Sequence, residues 1–352
     1  MWCLTKHAHA KAGMTRRYTE GNVTLTRRAM LQSAAWTAVA SLDLTTSTPA
    51  RAATVYPTRP VTWVLPFAAG GATGRLARPV CDRLALRLGQ PFVFENRPGA
   101  SGNVGTQSVI DAAPDGYTIL ATSTANAISV TFDPSLPFDA ARDLVHVAGL
   151  ARMPLLLLVS NDLPVKSLAE FLAYAKANPG KLSVGSAGLG TVQHLSAELF
   201  RVMTGIQWTH VHYRGSGPGL VDLSSGHVHA MFENIASSLE LLQSGKVRPL
   251  AVTTQQRWER MPDLPPVHDV LPGFETSGFY GTAMPRGTPP DIVALLNREI
   301  NDALRDGAIR QQYSEIGAIP MNGDVRDYAA QFAAEIIRWR KLVALAGVRK
   351  DS

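Results

Sequence analysis

The chain offers three sets of residues whose types and spacing suit chemistry. His210-x-His212 and His227-x-His229 fall in two short runs that read as neighbouring β-strands. Strand alternation puts both members of a pair on one face, and imidazole is a common transition-metal ligand. A metal-binding receptor using these four histidines is therefore one reading, although no Cys or acid stands at matching spacing. Ser186 and His194 form a second set, but Ser186 sits in Gly-Ser-Ala-Gly and no serine meets the G-x-S-x-G elbow pattern. Polar residues of a binding cleft are the better account of them, and no catalytic residue is expected. The third set is a glycine turn, Pro66-Phe-Ala-Ala-Gly-Gly-Ala-Thr73, between an apolar run and a helical pattern. A turn of that kind leaves small residues and free N–H groups at a helix N-terminus, where the partial positive charge attracts an anion. The turn lacks the Gly-Lys-Ser/Thr of a P-loop and the G-x-G-x-x-G of a dinucleotide site. No cofactor is expected, and a carboxylate or phosphate is the first ligand to consider.

The elements that position this turn follow from periodicity. Val61 to Leu65 reads as a strand, and Leu76, Val80, Leu84 and Leu88 recur on one face of the helix after the turn. Pro91 to Glu95 and Tyr117 to Thr122 read as further strands, with a helix to about Ala113 between them, so strand and helix alternate as in an α/β sheet. Ligand sites of such sheets lie beyond the carboxyl ends of the strands, which brings Pro66 to Gly74, Glu95 to Gly102 and a loop at Ser123 to Asn126 to one rim. Leu144 to Ser160 is a long extended stretch, broken at Pro154, that suits a crossing into a second domain. There the device repeats. Ser186 to Thr191 is a glycine turn before a helix over Val192 to Thr204, and Trp208 to Tyr213 is a strand before a second turn, Arg214-Gly-Ser-Gly-Pro-Gly219. Two such turns facing across a cleft would hold both ends of a small dianion. The last helix, Val325 to Ala346, puts Phe332 and Trp339 on one stripe, read as core packing against the first domain.

Composition bounds the rest. A chain of 352 residues suggests two domains, and 45% hydrophobic with 18% charged residues describes a globular protein. The net charge of +6 is concentrated at the start: residues 1–52 hold seven of the 34 Lys/Arg and two of the 28 Asp/Glu. The remainder is nearly neutral, so nothing calls for nucleic acid or a membrane surface. Thr26-Arg-Arg-Ala-Met-Leu31, the short apolar run Ala34 to Leu42 and Ala50-Arg-Ala52 read as an export signal cleaved near Ala52, with residues 1–53 outside the mature body. The expected address is the periplasm. Cys3 would leave with the signal, and Cys81 reads as a small buried apolar residue. Arg75 and Arg78 read as exposed arginines on a polar helix face, with Arg214 the better anion partner because it enters the second turn.

Several segments together carry a family resemblance: the Pro66 to Thr73 turn, Glu95-Asn-Arg-Pro-Gly-Ala-Ser-Gly-Asn-Val-Gly105, Ala113-Pro-Asp-Gly-Tyr-Thr118, Gly188-Leu-Gly-Thr-Val-Gln-His-Leu195, His212-Tyr-Arg-Gly215, Arg286-Gly-Thr-Pro289 and Glu335-Ile-Ile-Arg-Trp339. Across residues 54–348 the chain resembles the Bug family, periplasmic substrate receptors of tripartite tricarboxylate transporters. The resemblance implies a type II periplasmic-binding fold, two α/β lobes with a ligand cleft between them. Lobe 1 would be 54–154 with 275–352, and lobe 2 would be 155–274. It further implies a monomer that binds a small organic carboxylate, passes it to membrane transporter subunits and needs no metal. By motif, the first carboxylate-gripping loop carries Phe67, Ala69, Gly71 and Thr73, and the second Tyr213, Arg214, Gly215 and Gly217. Ser123, Asn126, Ser186, Gly190, Thr191 and His194 would line the rest of the cleft. Two departures stand out: Gly74 replaces the family's usual Asp, which leaves Thr73 to cap the first helix, and Glu233 replaces a common Asp.

Overall fold

The computed structural model of the protein describes residues 56–259 and 261–348; the expected export signal, its cleavage site and Cys3 lie outside them. Short apolar strands alternate with amphipathic helices. β1 (Val61–Leu65) leads to α1 (Ala72–Leu88), β2 (Phe92–Asn96) to α2 (Asn103–Ile110), and β3 (Thr118–Thr122) to α3 (Thr124–Phe132). β4 (Leu144–Ser160) is followed by α4 (Leu168–Ala177), β5 (Leu182–Ser186), α5 (Val192–Thr204), β6 (Trp208–His212) and α6 (Ser216–Ser224). Then come β7 (Ala230–Asn234), α7 (Ile235–Gln243), β8 (Val247–Val252) and β9 (Ser277–Pro285). The chain ends with α8 (Pro290–Arg305), α9 (Gly307–Glu315), the two-residue β10 (Ile319–Pro320) and α10 (Val325–Ala346). Where a loop was expected at Ser123 to Asn126, a capping box starts α3: the Ser123 side chain accepts the Ala125 N–H, and Asn126 Oδ1 accepts the Ser123 N–H at 2.8 Å.

The strands run in the order β2-β1-β3-β9-β4-β7-β5-β6. β1 is parallel to β2 and β3, and β5 is parallel to β6 and β7, as the βαβ pattern requires. Between these groups β4 and β9 run antiparallel to their neighbours, so the sheet is mixed. β4 is not broken at Pro154. Its first part pairs with β9 as far as Pro154 opposite Ser277, and from Leu155 opposite Asn234 it pairs with β7 and β8. A proline has no N–H to give a ladder, and here it stands where the strand changes partners. The result is two sheets sharing one strand, each covered by its own helices.

Each sheet has its own core. Trp63, Leu76, Leu84, Leu296 and Tyr313 pack together under β1 and α1, while Phe171, Leu195, Phe200, Phe232 and Phe274 pack under the second sheet. Cys81 is buried in the first core, where burial pushes its thiol well above the ordinary range, which leaves it a space-filling side chain. α10 belongs to both sides. Tyr328, Phe332 and Ile336 pack with Phe279, whereas Trp339 joins the cluster of Phe171 and Phe200, so the expectation that it packs against the first domain is not met. The Trp339 indole donates to Glu335 at 3.0 Å, and Glu335 is paired with Arg152 at 2.8 Å.

Two features of the crossing strands lend themselves to test. A methyl group on Gly281 of β9 would lie 2.7 Å from the Ala148 carbonyl and closer still to the Tyr328 hydroxyl. Gly281→Ala should therefore cost about 1–3 kcal/mol by overpacking, read as a lower urea midpoint; an unchanged midpoint would show that α10 yields freely. His146 of β4 is buried and stacked on Phe332 with ring centroids 3.9 Å apart. Burial, only partly opposed by the backbone at Ala140, pushes its pKa down to about 4. The unfolded chain takes up this proton near pH 6.5 and the folded chain near pH 4. Its contribution to stability is therefore complete above about pH 6.5 and is lost as pH falls towards 4, by up to about 3 kcal/mol. His146→Phe should flatten the fall in urea midpoint over that window; an unaltered slope would contradict the assignment.

Candidate functional site

The glycine turns end where they must to meet. Residues 66–71 carry the chain from β1 into α1, whose N-cap is Gly71 in extended conformation with no side chain accepting from the first turn. Thr73 lies inside α1 and does not cap it, contrary to expectation, and no acid occupies the first turn. On the opposite side Gly215, at φ 133°, is the N-cap of α6, again with no side-chain acceptor. Both helices thus present first-turn N–H groups that no side chain covers. The turns touch: a Cβ on Gly215 would lie 3.3 Å from Ala68, and one on Gly217 3.1 Å from the Ala69 carbonyl. A side chain at either position would crowd that approach.

Between the turns lies a narrow cavity of about 30 Å³, well below the usual range of small-molecule sites. Its wall is made of helix starts. Gly71, Ala72 and Thr73 come from α1, Ser123, Thr124 and Ala125 from α3, Thr191, Val192 and Gln193 from α5, and Ser216 from α6. Phe67, Ala187, Asn234 and Tyr280 complete it. No Lys, Arg, Asp or Glu is among these lining residues. α3 and α5 are capped by Ser123 and Thr191, so their amides are partly used within the protein. Behind the wall, Gln193 and Asn234 donate from their side chains to Glu233 Oε1, each at 3.1 Å, and the Tyr280 hydroxyl donates to Asn234 Oδ1 at 2.9 Å. Glu233 is fully buried, and burial pushes its carboxyl up against the pull of these bonds. One carboxylate oxygen thus holds both amides that face the cavity.

Of the residues singled out from sequence, Phe67, Gly71, Thr73, Ser123 and Thr191 reach this cavity. Gly215 and Gly217 form the contact between turns, and Ala69 lies on its outer side with Arg75 and Arg78. Asn126 is buried behind Ser123 and donates to Thr106. Gly190 lies in a neighbouring groove with Phe132, and Tyr213 and Arg214 lie in another with Phe67 and Gly188. The Tyr213 hydroxyl is held by Asp222 at 2.6 Å. Arg75 pairs with Glu240 of α7 at 2.7 Å, and Arg78 lies over the Phe94 ring near Asp82, so neither faces the cavity. Ala187, Val192, Gln193, Asn234 and Tyr280 escaped sequence reasoning. Tyr280 is placed by the β9 pairing and carries no local signal, whereas Asn234 ends β7, where the rule that located the others applies.

The histidines group differently from the expected pairs. β5 lies between β6 and β7, which separates His210 and His212 from His227 and His229. His229 is held by Ser183 at 2.8 Å, and His227 is exposed beside Ser225. Instead His194 of α5 joins His210 and His212, one ring nitrogen from each lying within 4.8 Å of the others. Ser186, the imagined partner of His194, bonds to His212 Nδ1 at 3.0 Å. Burial, then the rings of His210 and His212, pushes the pKa of His194 down to about 3; partial burial and His210 bring His212 to about 4.

Comparison with known proteins agrees with this architecture. Residues 76–348 match the family described as the tripartite tricarboxylate transporter family receptor, TctC. Protein BugT of Bordetella pertussis is 37% identical over 300 residues, covering 84% of this chain and 92% of that protein. Among solved structures, Rpa4515 of R. palustris with adipate superposes with a TM-score of 0.81 at 40% identity, covering 84% of this chain and 99% of the other. MatC from Rhodopseudomonas palustris with bound malate gives 0.78 at 34% identity, covering 82% and 100%. The periplasmic binding protein BugD gives 0.81 at 29%, covering 84% and 99%. With its two-lobed α/β fold, the chain belongs to the tripartite tricarboxylate transporter receptor family, together with the Bug proteins.

Proposed function

We propose that the protein is a periplasmic receptor, not an enzyme, that captures a small organic dicarboxylate and delivers it to the membrane subunits of a tripartite transporter. The observation that carries this reading is a cavity walled by helix N-termini and lined by no charged side chain. A carboxylate there is held by the uncovered first-turn amides of α1 and α6 and by the hydroxyls of Thr73, Ser123 and Ser216. Adipate and malate, the ligands named with two solved relatives, are of this class. No helix among the described residues is long and apolar enough to cross a membrane, so delivery requires a partner that does.

In this reading the lobes are 54–154 with 275–352, and 155–274, and they move about the crossings at Pro154 and Thr276. There β4 changes partners, and the Thr253 hydroxyl donates to the Thr276 carbonyl at 2.7 Å. Closure brings Gly215 and Gly217 onto Ala68 and Ala69, and the Arg75–Glu240 pair forms across the mouth. Binding and closure are then one equilibrium, which the ligand shifts by bridging both turns.

Two outcomes follow. In a thermal-shift series with adipate, malate, succinate, citrate and benzoate, at least one dicarboxylate at about 100 times its Kd should stabilise the protein by about 2.7 kcal/mol; no shift with any acid would contradict the proposal. Because the grip is made by amides and hydroxyls, Arg214→Gln should change Kd by no more than about threefold, whereas Gly217→Leu, which wedges the turns apart, should weaken binding by about tenfold or more, an amount near 1.4 kcal/mol. Titration calorimetry that found the reverse order would place the carboxylate on the arginine.

A further inference from the structure

The cluster of His194, His210 and His212 lies outside the proposed carboxylate cavity, and nothing in that role uses it. We propose that these three histidines form a binding site for one divalent transition-metal ion that prefers imidazole, of the zinc, nickel or copper class. Their nitrogens lie within 4.8 Å of one another. Three nitrogens on one tetrahedral ion, at about 2.0–2.1 Å from the metal, are spaced by about 3.4 Å. Capture therefore asks each ring to move by about 1 Å, within reach of side-chain rotation.

Their surroundings are those of ligands. His210 and His212 alternate along β6 and share a face, with ring centroids 4.6 Å apart, and His194 closes the triangle from the first turn of α5 at 4.7 and 4.8 Å. His210 Nε2 is buried and has no hydrogen-bond partner, an unusual state for a ring nitrogen that a coordinated ion would explain. Its Nδ1 is 3.2 Å from Glu198 Oε1, while Arg201 holds Oε2 of the same carboxylate at 2.7 Å. A carboxylate that orients an imidazole from behind is a common support of metal ligands. The Ser186 hydroxyl does the same for Nδ1 of His212. His194 Nδ1 accepts the Gly190 N–H at 3.1 Å, so in the metal-free protein its proton sits on Nε2. To ligate through Nε2, the ring moves that proton to Nδ1 and gives up the Gly190 bond. Aromatic packing alone would account for one stacked and two edge-on ring contacts, but not for a lone pair buried among them. His212 is exposed, which leaves one side of the ion open to water.

The test uses the untagged protein, stripped with a chelator and dialysed. Calorimetric titration with zinc chloride should show one equivalent bound with a Kd below about 10 μM, and cobalt(II) should give the visible spectrum of a tetrahedral site. His210→Ala and His212→Ala should each weaken zinc by about 30-fold or more, and Glu198→Gln by about tenfold, while a His227→Ala/His229→Ala double variant stays within about threefold. Far-UV circular dichroism and the metal-free thermal midpoint check that the variants fold, and His212→Ala, at an exposed ring, keeps the test open if His210→Ala does not. The proposal is overturned if the wild type takes up less than a stoichiometric amount of zinc, if His212→Ala binds as tightly as wild type, or if the His227/His229 variant loses the ion.

Discussion

Two helices that begin at glycines and bring their uncapped first turns to one cavity define this molecule. Isolated, such N-termini are unsatisfied: no side chain caps α1 or α6, and two positive helix ends border one narrow cavity. An anion between them satisfies both at once. On the proposed reading the missing side-chain cap serves binding, and the first turn of α1, with Gly74 in it, holds no acid that would compete for the amides. Selectivity for negative charge then needs no cationic side chain, and the lining has none. An arginine in the cavity would hold a carboxylate strongly whether the lobes were open or closed, whereas amides divided between two lobes reward closure.

The strands that cross between the sheets set how that division works. β4 runs unbroken from one sheet into the other, and the turn from partner β9 to partners β7 and β8 occurs at a residue with no N–H to lose. Gly281 lets β9 pass under Tyr328, and α10 lies over both cores with Phe332 on one side and Trp339 on the other. Where the two glycine turns meet, the contacts are small: glycine against alanine, and one ion pair between Arg75 and a largely exposed Glu240. Exposed pairs of that kind contribute little, which suits a mouth that must reopen.

Much of this was legible in the residues. β1, the turn over 66–71 and α5 stand where apolar periodicity and glycine placement put them, because both signals are local. α3 was missed since its start is encoded by the Ser123 and Asn126 side chains bonding reciprocally, in a segment without an amphipathic stripe. Pro154 read as a break because a proline inside a strand usually is one; only the pairing of distant strands shows why it is tolerated. Tyr280, Gln193 and Asn234 reach the cavity through the β9 pairing and the Glu233 network, neither of which is local. The same holds for the histidines. Alternation placed His210 and His212 on one face, but their third member is His194 of α5, 18 residues before His212, and not the sequence neighbours His227 and His229.

The central claim is that main-chain amides, not arginines, hold the anion. It is tested most directly by following the backbone and arginine side-chain N–H signals of the labelled protein by NMR while a dicarboxylate that stabilises it is added. The account predicts that the largest shifts and the strongest new protection from exchange fall on the first-turn amides of α1, Ala72 to Arg75, and of α6, Ser216, Gly217 and Gly219, with the Arg75 and Arg214 guanidinium signals little changed. Large guanidinium shifts with silent amides in both turns would contradict it.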